Sequence, residues 1–103
     1  MRIIKATTLQ GYCREPRYSG AQKAVQAWIY EVKDSNWKNP AGLKLKYRNA
    51  SIVSSKRVIF NIKGNEYGLV ADIEYKLKIV FVVWFGTHRA YVKIDVREVK
   101  YEP

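Results

Sequence analysis

The sequence predicts an α+β domain in which two to three N-terminal helices pack on one face of a small antiparallel sheet of three to four strands. Apolar residues recur at helical spacing up to about residue 48, and from residue 50 they alternate with the period of two that is typical of strands. Because 103 residues bury only one core, we expect a single domain, 1–103. Its parts are a mainly helical and basic region at 1–48, a β-meander with a polar loop at 50–96, and a charged tail at 97–103.

The first 35 residues predict two helices. Residues 1–4 are short and apolar, and fit either an edge strand or the approach to a helix. Pro16 ends the first helix because proline has no backbone N–H to donate. Ser19 and Gln22 form a capping-box pattern that predicts the start of the second helix. The apolar stripe of that helix follows at i, i+3, i+4 spacing: Ala21, Ala24, Val25, Trp28, Ile29 and Val32.

A short basic helix is predicted next. Asn39 suits the N-cap and Pro40 the first helical position, where the missing N–H costs nothing. The helix then covers about residues 41–47. Three cations project from it: Lys44, Lys46 and Arg48. On its own such a patch is more often a solvated surface than a binding site.

The second half of the chain predicts a meander. Residues 50–53 and 58–62 fit strands, and Gly64-Asn65 fits a hairpin turn that tolerates positive φ. The next strand has a core face and an open face that we expect cations to surround. The core face carries Tyr67, Leu69, Ala71, Ile73 and Tyr75, and the open face carries Gly68, Val70, Asp72 and Glu74. Residues 79–85 are apolar throughout, which predicts a central strand covered on both faces; a short turn or helix follows over 88–95.

Charge and composition limit the classes of function. Nineteen cations against nine anions give a net charge of +10, which attracts RNA or DNA and fits an acidic protein partner equally well. No apolar run approaches the roughly 18 residues that span a bilayer, so we expect a cytoplasmic protein with no membrane partner. The only cysteine, Cys13, cannot form an internal disulfide, and we expect it to pack in the first helix. One histidine and the lack of a P-loop or GxGxxG predict no metal and no cofactor.

RNA cleavage is a reaction that needs no cofactor, because the 2′-hydroxyl can attack the adjacent phosphate. The protein then supplies a base, an acid and cations. His88 directly follows the end of a buried strand, where a catalytic and a structural role are equally supported. Tyr91 can donate a proton, stack on a base or simply pack. The cations predicted to bind phosphate are Lys56, Arg57, Lys63 and Arg89, together with Lys44 and Lys46.

The order of motifs from residue 37 to 96 resembles the HigB family of bacterial type II toxins. The matching segments are WKNPAGLK, RVIFNIKGNEY, IVF, and GTH followed by Tyr91 and KID. The resemblance implies a RelE-like fold and a metal-independent endoribonuclease that cleaves mRNA, generally on the translating ribosome. It also implies silencing by a cognate HigA-type antitoxin, whose helix-turn-helix domain binds operator DNA. The toxin would contact that DNA only through the antitoxin.

The resemblance assigns His88 and Tyr91 to catalysis and places Asn61, Lys63 and Asn65 in the FNIKGN hairpin. Two departures stand out. Gly68 occupies the position of an arginine in the family's NEYRL motif, and Val83 the position of a second arginine. The usual EYDKI also reads AYVKI at residues 90–94.

Loss of a cation that stabilises the transition state costs roughly 3 kcal/mol or more. Three explanations for Gly68 remain open: an engineered substitution that removes toxicity, a naturally weakened toxin, or replacement of the missing arginine by Arg57 or Arg89. Glycine is unfavourable inside a strand, which slightly favours the first. The alternative function is a non-catalytic paralogue that binds RNA or an antitoxin. A DNA-binding domain ranks third because the chain has no helix-turn-helix pattern.

Overall fold

The computed structural model describes residues 1–100 of the chain. Over these residues it contains four α-helices, one 3₁₀ helix and five strands. The helices are α1 (Ala6–Tyr12), the 3₁₀ helix (Pro16–Ala21), α2 (Gln22–Lys33), α3 (Pro40–Lys46) and α4 (His88–Tyr91). The strands are β1 (Arg2–Ile4), β2 (Ser51–Ile52), β3 (Arg57–Ile62), β4 (Tyr67–Glu74) and β5 (Ile79–Thr87). The predicted tail at 97–103 is described as far as residue 100, and its remainder lies outside the described residues.

The strands form one sheet in the order β1-β5-β4-β3-β2. The pairs β2–β3, β3–β4 and β4–β5 are antiparallel, whereas β1 runs parallel to β5. The α+β class is therefore confirmed, but the sheet has five strands where we expected three to four. The extra strand is β1, so the edge-strand interpretation of residues 1–4 was the right one. The amino group of Met1 holds it there by donating hydrogen bonds to Val32 O, Lys33 O and Ser35 O at the end of α2.

α2 packs on the sheet as its apolar stripe predicts. Val25, Trp28, Ile29 and Val32 are buried. The predicted capping box is wrong: Ser19 lies in the 3₁₀ helix, where its hydroxyl donates to Pro16 O at 3.0 Å. The 3₁₀ helix runs directly into α2, so the N-cap is Ala21, which has no capping side chain.

Cys13, at the end of α1, is buried as expected, and burial raises the pKa of its thiol.

α3 begins as predicted. The side chain of Asn39 accepts a hydrogen bond from Gly42 N at 2.9 Å, and Pro40 is the first helical residue. The helix is joined to α2 by the hydroxyl of Tyr47, which donates to Glu31 Oε1 at 2.8 Å. Burial and this carboxylate raise the pKa of Tyr47.

The two faces of the sheet differ from the prediction in two respects. The helix-facing side chains of β4, from Tyr67 to Ile73, are buried as expected. The opposite face is not open: Val70 is fully buried there, and α4 and residues 96–99 lie on that face. β5 does lie inside the sheet, but only one of its faces is fully covered, since its alternate residues are half-buried.

The sheet has two local irregularities, one in the β3–β4 hairpin and one in the β4–β5 pairing. The positive φ angles of the hairpin are at Lys63 (55°) and Gly64 (65°), one residue earlier than predicted. Between Val70 and Ala71 the pairing with β5 shifts, so that Val83 is left out of the ladder. Over the described residues no helix is both long and apolar enough to cross a bilayer.

Candidate functional site

His88 lies where β5 ends and α4 begins. Thr87 caps the short helix, because its hydroxyl oxygen accepts a hydrogen bond from Ala90 N at 3.2 Å. The backbone N–H of His88 donates to Glu66 O at 2.8 Å, which joins α4 to the β3–β4 hairpin. The imidazole itself is exposed. The end of a rigid strand therefore presents this side chain to solvent.

Tyr91 lies beside His88 and covers Gly68. The ring centroids of His88 and Tyr91 are 5.6 Å apart. A Cβ atom added to Gly68 would lie 3.3 Å from Tyr91 Cδ2, which is a tight contact. The position where the resemblance expects an arginine is thus directly under the phenol ring. A side chain at residue 68 requires this ring to move by a few tenths of an ångström.

A row of small or polar residues crosses the same face of the sheet. Asn61, Gly68 and Gly86 are direct cross-strand neighbours on β3, β4 and β5. The indole of Trp84 lies over Gly86, so closely that a Cβ atom there would be 2.7 Å from its Cη2 and Cζ2 atoms. The ring centroids of Trp84 and Tyr91 are 6.5 Å apart. We call His88, Tyr91 and Trp84 the aromatic shelf.

Trp84 was missed in the sequence. The one feature of the sequence that could have pointed to Trp84 is a large aromatic residue two positions before Gly86, near the end of an aliphatic strand. What the pattern does not reveal is that Gly86 leaves room for the indole to lie over this point of the sheet.

Two of the predicted cations are at the end of the sheet that carries the aromatic shelf. Arg89 follows His88 in α4 and is exposed. Lys63 lies in the hairpin that is bonded to His88, and its ammonium is 3.4 Å from Glu66 Oε2. That ion pair is exposed and contributes little to stability, so Lys63 can exchange the carboxylate for another anion. Over residues 1–100 no group of three or more metal-ligating side chains lies together.

A family model described as HigB_toxin, the RelE-like toxic component of a toxin-antitoxin system, matches residues 21–94, well over half of the chain. The chain belongs to the HigB toxin family. It is therefore the toxic component of a toxin-antitoxin system, and such a component has an antitoxin as its partner. A comparison with curated proteins found no match.

In this HigB-family chain, Lys56 and Arg57 lie away from the aromatic shelf. Both are at the start of β3, about 17 Å along the strand from the hairpin end. The guanidinium of Arg57 makes two 2.8 Å bonds with the carboxylate of Asp72 and also donates to Val99 O. The carboxylate raises the pKa of Arg57. Lys56 pairs with Glu74 at 2.6 Å, and this carboxylate raises the pKa of Lys56.

The cations of α3 divide into two groups. Lys44 Nζ donates to Arg48 O and Ala50 O at 2.7 Å each, so it closes the loop after α3. Lys46 and Arg48 are exposed and line a shallow cleft with Asn61. Asn61 is also the cross-strand neighbour of Gly68, so one residue of this cleft pairs with the residue that Tyr91 covers. The sequence predicts phosphate binding for Lys44 and Lys46, and Arg48 belongs to the same basic patch.

Proposed function

We propose that this HigB-family toxin is an endoribonuclease that cleaves mRNA on the translating ribosome without a metal ion. The observation that carries the proposal is the pair of His88 and Tyr91, whose rings lie 5.6 Å apart at the end of a rigid strand. Both side chains can exchange protons, and the cations Lys63 and Arg89 lie at the same end of the sheet. The proposed place of action is the cytoplasm, where ribosomes translate mRNA.

The reaction we propose is attack of a 2′-oxygen of the RNA on the adjacent phosphorus. The bond from phosphorus to the 5′-oxygen breaks, which leaves a 2′,3′-cyclic phosphate and a 5′-hydroxyl. One proton must leave the 2′-oxygen and another must reach the 5′-oxygen, and these two transfers fall to His88 and Tyr91. Lys63 and Arg89 stabilise the negative charge on the phosphoryl oxygens. Lys46 and Arg48 hold the RNA backbone on the β3 side.

Gly68 weakens this site. A family arginine at residue 68 would place a cation next to Tyr91, and its loss slows cleavage by about a hundredfold or more. Arg57 does not replace it, because its guanidinium is held by Asp72 at the other end of β3. Arg89 remains as the arginine next to His88. We therefore propose that the chain with Gly68 is a slow enzyme.

Expression in a bacterial host, with mapping of mRNA 5′ ends, tests the proposal. We expect Gly68→Arg to arrest growth and to produce new mRNA ends, and Gly68→Arg combined with His88→Ala to do neither. Gly68→Ala is the matched control, because it adds a Cβ atom without a charge. Equal mRNA ends with and without His88 would contradict the assignment of the site.

A second function has one observation in its favour: residue 68 is a glycine covered by the ring of Tyr91, so this chain has no cation at that point of β4. A non-catalytic chain would retain binding of RNA or antitoxin and would not cleave RNA even as Gly68→Arg. In both functions we propose a HigA-type antitoxin with a helix-turn-helix domain as partner. Operator DNA is then contacted only through that antitoxin.

A further inference from the structure

A cleft of about 330 Å³ lies between α1 and the edge of β5. It exists because β1 is shorter than β5: the two strands pair only over residues 79–81. After Ile4 the chain turns away at Lys5, which has a φ of 74°, and continues into α1. From Val82 onward β1 no longer pairs with this edge of β5. We call this space the edge cleft.

The walls of the edge cleft are aromatic and basic. Tyr12, Tyr18 and Trp84 supply aromatic side chains, and Arg17 and Lys100 supply cations. None of the described residues that line the cleft is acidic. Arg17 lies over the ring of Tyr18, with its guanidinium carbon 4.7 Å from the ring centroid.

Arg17 is held only weakly by its carboxylate partner. Its Nε atom is 2.9 Å from Glu15 Oε2, but the two side chains are 70% and 45% exposed. An ion pair of this kind is screened by water and contributes little. A phosphate can therefore compete with Glu15 for the guanidinium.

Trp84 connects the edge cleft with the aromatic shelf. Trp84 is one of the residues that line the cleft, and the centroid of its ring is 6.5 Å from that of Tyr91. Gly86 leaves the space that the indole occupies, because a Cβ atom there would lie 2.7 Å from Cη2 and Cζ2 of the ring. The opposite wall, formed by α1 and Arg17, lies before residue 21, where the match to the family begins.

We propose that the edge cleft binds one nucleotide of single-stranded RNA, adjacent to the nucleotide that is cleaved at His88. The base stacks on Trp84 and Tyr12, and Arg17 holds the phosphate. Single-stranded RNA is recognised by aromatic faces together with cations along the backbone, and the volume is at the small end of ligand sites. The cations would suit an acidic peptide equally well, but flat aromatic rings continuous with the aromatic shelf favour a nucleobase. This inference rests on the proposed function and identifies where its substrate is held.

Binding of a fluorescein-labelled 12-nucleotide 2′-fluoro RNA, which lacks the attacking hydroxyl, tests the inference by fluorescence anisotropy. We expect Trp84→Ala to weaken binding by about 5-fold to 100-fold, the usual effect of losing one stacking partner. Trp84→Phe should retain most of the affinity. Tyr30→Ala is the matched control, because Tyr30 is an exposed aromatic residue of α2 outside the cleft, and it should bind as the unaltered chain does.

Intrinsic fluorescence provides a second measurement that does not depend on the stability of Trp84→Ala. Trp28 and Trp37 are buried, whereas Trp84 is half-buried, so we expect the RNA to quench emission in the unaltered chain and much less in Trp84→Phe.

The contribution of Arg17 is tested by the salt dependence of binding. Arg17→Gln should reduce the slope of log affinity against log salt concentration by about 0.7, and Lys23→Gln on α2 should not.

Several results would overturn the inference: no RNA binding by the unaltered chain, equal binding by Trp84→Ala, or loss of antitoxin binding alone in Trp84→Ala. The last result would assign the edge cleft to a peptide of the antitoxin. None of these results decides the proposed function, which depends on the cleavage of ribosome-bound mRNA and its loss in His88→Ala.

Discussion

Gly68 and Gly86 face each other across β4 and β5, but their surroundings differ. A Cβ atom at Gly68 would meet Tyr91 at 3.3 Å, whereas one at Gly86 would lie 2.7 Å from Trp84. The first contact can be relieved by a small shift of a half-buried ring. The second requires the indole to leave its place on the sheet. Gly86 is therefore needed for the aromatic shelf, and Gly68 is a position that can accept a side chain.

Gly86→Ala is expected to destabilise the protein by about 1–3 kcal/mol, the usual cost of overpacking. Thermal unfolding followed by circular dichroism measures this, and about 4–8 °C of melting temperature corresponds to 1 kcal/mol in a domain of this size. Gly11→Ala in α1 is the control. Its Cβ atom would meet nothing within 4 Å, so it should stabilise the helix by up to about 1 kcal/mol. Equal melting temperatures for the two variants would contradict the packing of Trp84 on Gly86.

β3 has a structural end and a functional end. At its start, Arg57 joins β3 to Asp72 of β4 and to the carbonyl groups of Val96, Arg97 and Val99. At its other end, Asn61 is the cross-strand neighbour of Gly68, and Lys63 lies in the hairpin that is bonded to His88. The sequence does not show how far Lys56 and Arg57 lie from His88. That distance depends on the direction of β3, which places Lys56 and Arg57 at the end of the strand opposite to the His88 end.

The structural role of Arg57 predicts a loss of stability without a loss of RNA affinity. Arg57→Met leaves the carboxylate of Asp72 and several carbonyl groups without a donor, so we expect a loss of about 2 kcal/mol in the free energy of unfolding. Urea denaturation measures it. The neighbouring Lys56→Met is the matched control and should change stability little, because its ion pair with Glu74 is largely exposed. A large drop in RNA affinity for Arg57→Met at unchanged stability would show that Arg57 binds phosphate after all.

Local sequence patterns correctly predicted the elements that depend on one strong local feature, such as an apolar stripe or an N-cap residue. The stripe of α2 and the Asn39 cap of α3 were both confirmed, since each depends on residues close in sequence. The Ser19 capping box failed because Pro16 begins a 3₁₀ helix that leads into α2 and uses the Ser19 hydroxyl internally. The parallel pairing of β1 with β5 is a contact between opposite ends of the chain, which no local pattern encodes.

The charge of the chain, +10, makes RNA binding dependent on salt, and the structure predicts which cations contribute. Lys46 and Arg48 line the cleft that contains Asn61, the cross-strand neighbour of Gly68, whereas Lys56 lies just before the other end of β3. Replacing Lys46 or Arg48 with glutamine should each reduce the slope of log affinity against log salt by about 0.7, and Lys56→Gln should leave it unchanged. Anisotropy titrations at several salt concentrations measure the slopes. An equal effect of all three would mean that binding follows net charge and not this cleft.

His88 and Tyr91 were chosen from the sequence because they follow a buried strand within four residues, and in the structure their rings are adjacent. Trp84 and the edge cleft were not predicted. Both depend on the length of β1, the shift of pairing at Val83 and the space above Gly86, which are properties of the assembled sheet.

The most direct test of the account is the rate at which purified protein cuts mRNA on programmed ribosomes. We predict that Gly68→Arg cleaves at least about a hundredfold faster than the unaltered chain, that the products carry 2′,3′-cyclic phosphates, and that adding His88→Ala removes the activity. A Gly68→Arg protein that is folded but cuts no faster, or one that cuts equally well with His88→Ala, would contradict the account.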